Sequence, residues 1–192
     1  MQTAHPSIAF RPGDHIVYPA HGVGRVMGVE KQAVAGIDLD VFVISFEQDK
    51  MTLRVPTTKA RSCGMRALAS SEVVDQAMKT LQGRARIKRT MWSRRAQEYE
   101  AKINSGDLVQ IAEVVRDLHR ATDQPEQSYS ERQLYESALD RMARELAAVE
   151  KTDRDAAVQK LTTSLAAKKP RGAAAAAAEA EAADEVVEEA AA

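Results

Sequence analysis

The spacing of apolar residues changes character at Ser70, from alternation along short runs to a helical period of about 3.6, so this chain has to build a sheet first and helices afterwards. Ahead of the switch, His15 to Tyr18 is a short apolar run stopped by Pro19, and Val23 to Val34 is rich in valine and glycine. Val41 to Phe46 consists almost wholly of strand formers, and Met51 to Val55 alternates apolar with polar until Pro56. Short strands so spaced suit a small curled sheet or barrel, with Gly22, Gly24, Gly28 and Gly36 supplying bends. Alternation turns Met51, Leu53 and Val55 inward and leaves Thr52 and Arg54 outside. Val41 to Phe46 is apolar on both faces, with Phe42, Ile44 and Phe46 on one and Val41 and Val43 on the other. Either the domain's own loops cover the second face or a partner does.

Beyond the switch the caps are readable. Ser70 or Ser71 opens a helix striped by Val73, Val74, Ala77, Met78 and Leu81, and Gly83 stands where it should stop. Thr90 is placed to cap a second helix, Met91 to Asn104, with Ala96, Tyr99 and Ile103 inward and Ser105-Gly106 ending it. Asp107 caps a third, carrying Leu108, Ile111, Ala112, Val115 and Leu118. After a polar loop over 121–129, Ser130-Glu131-Arg132-Gln133 has the capping-box pattern ahead of Leu134, Ala138, Met142, Leu146 and Val149. Thr152 or Asp153 opens a fifth helix that runs to about Lys168, before Pro170 and Gly172. The last 23 residues are nearly all alanine and acid, with no apolar stripe, and are expected to be disordered or a frayed helix. The expected architecture is α+β: a small β-barrel over 1–68, a helical domain over 69–169 and a low-complexity acidic tail over 170–192.

Charge and composition narrow the function. The net charge is −1, yet no acidic residue falls between Asp75 and Glu98, where Lys79, Arg84, Arg86, Lys88, Arg89, Arg94 and Arg95 stand. A protein that holds nucleic acid unaided is usually basic overall, because affinity comes largely from neutralised phosphates, so a local patch in a neutral chain implies help from a partner. One cysteine, Cys63, supplies neither an internal disulfide nor a thiolate zinc site. That, with no apolar stretch near the roughly 20 residues needed to span a bilayer and no leader-like N-terminus, leads us to expect a cytoplasmic protein with no membrane role.

Enzyme machinery is not apparent. Gly22 to Gly28 misses the dinucleotide-binding spacing by one residue and leads into a strand, where a helix N-terminus would be needed to hold a pyrophosphate. No phosphate-binding loop ends in Gly-Lys-Ser/Thr, and His5, His15, His21 and His119 are joined by no pattern of metal ligands. Neither an enzymatic activity nor a cofactor or metal is expected.

The informative constellation is Arg89-Thr90-Met91-Trp92-Ser93-Arg94-Arg95. A flat apolar ring in the first turn of a helix, flanked by guanidinium groups, suits a wedge against base pairs, with the arginines on phosphate. The same Trp92 also suits the chief core position of a domain with only 4% aromatic residues. Spacing alone leaves both open.

Residues 10 to about 150 resemble the CarD/CdnL family of bacterial transcription regulators. The likeness begins with Phe10-Arg11-Pro12-Gly13-Asp14-His15-Ile16-Val17-Tyr18-Pro19-Ala20-His21-Gly22-Val23-Gly24 and continues with Leu53-Arg54-Val55-Pro56. It ends with Trp92-Ser93-Arg94-Arg95, Ser105-Gly106-Asp107 and Ala112-Glu113-Val114-Val115-Arg116-Asp117-Leu118. The first segment is also similar to the polymerase-interacting module of the transcription-repair coupling factor. The resemblance implies an SH3-like or Tudor-like barrel that docks on the β subunit of RNA polymerase through the strand end at Arg54 and Pro56, with Ile44 at the same surface. It implies a helical domain that meets promoter DNA, weakly and largely without sequence preference, through Trp92, Arg94, Arg95, Arg89 and Lys88, and so stabilises the open complex at the upstream edge of the bubble. Gln97 stands where some relatives have a basic residue, and the tail past Lys169 lies outside the shared pattern. The chain is expected to be a monomer, with a C-terminus that a protease could read. The alternative is an RNA- or peptide-binding adaptor with no promoter role.

Overall fold

A computed structural model describes residues 10–34, 37–120 and 127–167. The acidic tail, and with it any reading by a protease, lies outside them. Five strands precede five helices: β1 His15–Tyr18, β2 Gly22–Val34, β3 Ile37–Phe46, β4 Met51–Pro56 and β5 Arg66–Ala67, then α1 Ser71–Gln82, α2 Trp92–Ile103, α3 Leu108–Leu118, α4 Tyr129–Glu150 and α5 Arg154–Ala166. The strands form one antiparallel sheet in the order β4-β3-β2-β1-β5. Pro56 belongs to β4 rather than ending the strand before it. As the outermost strand on that side, β4 tolerates a residue without an N–H.

Ile16, Val26, Phe42, Ile44, Phe46, Val55, Ala60 and Met65 form the sheet's core. Gly24 is required here, because a Cβ would stand 2.7 Å from the Phe46 ring and 2.8 Å from Ile44 Cγ2. The second face of β3 is covered by the chain itself: Val41 and Val43 are only 2% and 8% exposed. Register explains the cover. Val41 lies opposite Glu30 of β2 and Val43 opposite Arg54 of β4, and Arg54 Nε reaches Glu30 Oε2 at 3.5 Å, so this ion pair crosses β3 between the two valines.

A separate core joins all five helices, with Leu81, Val114, Val115, Met142, Leu146, Leu161 and Leu165 at its centre. Ser70, Asp107 and Asp153 cap α1, α3 and α5 as their positions predict. The capping box of α4 is built from Ser128 and Glu131, two residues ahead of the expected Ser130, because the serine that bonds the third helical amide sets the frame.

Sheet and helices are braced together. Glu145 of α4, 2% exposed at its side chain, accepts from Arg66 Nη1 at 2.6 Å and Nη2 at 2.9 Å, and from the Ala69 amide at 3.0 Å. Arg66 Nε donates to the Gly106 carbonyl at 2.8 Å. Arg141 donates to the carbonyls of Pro19 and Ala20, both at 2.7 Å. Gly106, at φ +74°, packs against Pro19 so closely that a Cβ would sit 3.2 Å from its Cα. The short strand β5 has no counterpart among the sequence-predicted strands, yet it carries Arg66 into this joint.

Candidate nucleic-acid interface

The connection from α1 to α2 over 83–91 has no regular structure but is pinned midway. The Arg86 amide donates to Asp117 Oδ1 at 2.9 Å, and the same oxygen accepts from Arg116 Nε at 2.8 Å. Asp117 and Arg116 are each 6% exposed, so the peg is a buried charged pair at the end of α3. A charged pair within an apolar run, Val114-Val115-Arg116-Asp117-Leu118, is the sequence sign of it.

Thr90 does not cap α2. Its amide turns back to the Lys88 carbonyl at 3.0 Å, the helix starts one residue later than expected, and Met91 occupies the N-cap with no side-chain bond. Trp92 is the first helical residue. It is half-buried: it packs against the helical core, with its ring 6.5 Å from that of Tyr99 at an angle of 53°. Burial first, and then the charge of Asp117, push the Tyr99 phenol above its ordinary pKa, so the ring behind Trp92 stays neutral. Trp92 therefore stands at the rim of the core, with part of its ring open to solvent.

The basic residues separate into two roles. Arg95, expected beside Trp92 as a phosphate contact, is turned inward: its guanidinium carbon lies 5.7 Å from the Trp92 ring centroid, and Nη1 donates to the Lys88 carbonyl at 3.3 Å. Its Nε is buried without a hydrogen-bond partner among the described residues. Arg95 holds the ring. Arg89 and Arg94 point outward and enter none of the ion pairs found among the described residues. With Thr90, Met91, Ser93 and Gln97 they line one open groove. Lys88 is exposed and bonds Glu98 at 2.7 Å, a contact that holds the Glu98 carboxyl below the usual carboxylate range. So exposed a pair opens at little cost when a phosphate competes. Met91, which sequence reasoning places in this constellation without a role, is 79% exposed beside Trp92.

On the sheet, Arg54 is outward on β4 and 53% exposed, and Pro56 pairs with Val41 at the end of that strand. Ile44 is corrected: it is wholly buried in the sheet's core beneath its neighbours, and offers no side-chain surface to a partner. No group of three or more His, Cys, Asp and Glu side chains among the described residues could hold a metal ion, and no helix among them is long and apolar enough to cross a membrane.

Residues 10–69 match the family model of the CarD-like/TRCF RID domain, an RNA polymerase-interacting domain, and residues 76–162 match that of the CarD C-terminal domain. An antiparallel polymerase-interacting module followed by a helical module defines a transcription regulator with RNA polymerase as a partner. The chain belongs to the CarD/CdnL family. It is 29% identical over 137 residues to "Putative transcription factor YdeB" of Bacillus subtilis (strain 168), a match that covers 71% of this chain and 90% of that protein. Two solved structures from Myxococcus xanthus are similar to its first part. CdnLNt is 36% identical with a TM-score of 0.29, over 36% of this chain and 97% of that one. The 72-residue N-terminal domain of CarD, solved by solution NMR, is 32% identical with a TM-score of 0.27, over 36% and 96%.

Proposed function

We propose that the sheet module, taken as a Tudor-like unit over 1–68, docks on the β subunit of RNA polymerase along β4, with Arg54 and Pro56 in the contact. The helical module, 69–169, then lies against promoter DNA at the upstream edge of the transcription bubble. Arg89, Arg94 and Lys88 meet phosphates, and Trp92, held by Arg95, abuts the opened base pairs. The observation that carries this reading is the acid-free groove of Arg89, Met91 and Arg94 beside a half-buried Trp92, on a chain whose first module is of a polymerase-interacting family.

The energetics suit a lifetime effect. Closing the bubble regains stacking of roughly 1.4 kcal/mol per base-pair step, and a ring at the fork opposes that closure. Base–aromatic stacking worth about 1–3 kcal/mol changes the lifetime of the open complex by roughly 5- to 150-fold if all of it acts on collapse. Few cations hold free DNA weakly, but docking on polymerase makes capture effectively intramolecular at about millimolar concentration. The protein works as a monomer.

The test is the open-complex lifetime on a promoter fragment with and without the protein. Wild type should prolong it, Trp92→Ala should bind polymerase and lose the effect, and Arg54→Glu should lose polymerase binding while remaining folded. Equal lifetimes with and without wild-type protein would refute the proposal.

A further inference from the structure

The Met91 carbonyl accepts from the Arg94 and Arg95 amides at the start of α2, but its side chain does nothing for the fold that contains it. At 79% it is the most exposed large apolar side chain among the described residues, so it contributes no core. It also occupies the N-cap of α2, where a serine, threonine or aspartate oxygen would bond a free amide, and provides no such bond. The other four helices all have a side-chain cap, from Ser70, Asp107, Ser128 and Asp153. Its surroundings are specific: Arg89 and Arg94 flank it in a groove whose other lining residues, Thr90, Ser93 and Gln97, include no acid. Trp92 follows directly, with its ring packed partly against the core and partly under the Arg95 guanidinium, so the reach of that ring outward is limited. Met91 projects without such restraint.

A flexible apolar side chain ringed by cations fits one occupant well. Double-stranded DNA presents two rows of phosphates on either side of a stack of apolar base faces, and methionine is among the side chains that enter base steps from the minor groove. An anionic lipid surface would share the charge but calls for a broad apolar helix face, whereas here a single methionine stands beside a half-buried tryptophan. We infer that Met91 is a second inserting side chain, and that α2 presents to promoter DNA a two-residue wedge in which Met91 enters the duplex beside Trp92. This rests on the promoter reading above.

The experiment uses the full chain with RNA polymerase holoenzyme on a promoter fragment that carries 2-aminopurine at the upstream edge of the bubble. It reads base unstacking by fluorescence and complex lifetime by competitor challenge. Met91→Gln keeps the length of the side chain and makes it polar, and Met91→Leu keeps it apolar. Because Met91 is exposed, both should melt as wild type does and bind polymerase normally. Met91→Gln should shorten the open-complex lifetime about 3- to 10-fold and reduce the fluorescence, Met91→Leu should restore both, and the salt dependence of DNA binding should stay unchanged because no charge is removed. Wild-type lifetime and fluorescence in Met91→Gln, with both lost in Trp92→Ala, would overturn the inference and leave Trp92 acting alone. Wild-type values in both variants would overturn the promoter reading with it.

Discussion

Truncating Trp92 to alanine removes a side chain that is packed against the core but only partly buried, and its cost should reflect that position. A fully buried aromatic loses about 3–5 kcal/mol on truncation. Trp92 packs on Tyr99 but keeps part of its ring open, so Trp92→Ala should destabilise by about 1–2 kcal/mol, which a urea melt will show. Arg94 and Arg95, adjacent and chemically alike, should part company. Arg94→Ala should lower the slope of log binding against log salt by about 0.9, the amount one fewer neutralised phosphate accounts for, whereas Arg95→Ala should leave that slope unaltered and weaken the wedge instead. Sequence does not tell these arginines apart, because both neighbour Trp92; which one folds over the ring depends on the Lys88 carbonyl that receives Arg95.

Elements are legible wherever a local signal sets them. Ser70, Asp107 and Asp153 announce their helices because a cap acts within three residues. The start of α2 departs from its signal because Thr90 has the right side chain but is held one residue early by its turn to Lys88. Strand β5 gives no signal at all, because two residues show no period and its pairing with β1 rests on contacts some 50 residues away. The uncapped start of α2 yields a prediction of its own: Met91→Ser should supply the missing cap and stabilise the protein by about 0.5–1 kcal/mol in thermal unfolding. The same variant should shorten the open-complex lifetime, so that stability rises as function falls.

At the scale of the whole molecule, the joint between sheet and helices decides where α2 points once the sheet is anchored. It is the least legible part of the structure, since its acceptors are largely backbone carbonyls, of Pro19, Ala20 and Gly106, which carry no residue signature. Its ion pair is asymmetric: the Arg66 side chain is 32% exposed and that of Glu145 is 2% exposed. Removing Arg66 strands a buried carboxylate with the Ala69 amide as its remaining donor, whereas removing Glu145 leaves a guanidinium that water can reach. Arg66→Ala should therefore cost about 3 kcal/mol or more and Glu145→Ala distinctly less, as judged by chemical denaturation. The outermost strand, β4, has a consequence for the protein between encounters with its partner. No strand pairs with its free edge among the described residues, and an open edge is a template on which a second copy could grow a ribbon. Arg54 puts a charge on that strand and Pro56 removes a donor at its end, two ordinary guards against such growth. Arg54→Val should leave the monomer folded, at the small cost of an exposed ion pair to Glu30, yet prone to concentration-dependent aggregation in light scattering, because the side chain that invites the right partner also repels the wrong one.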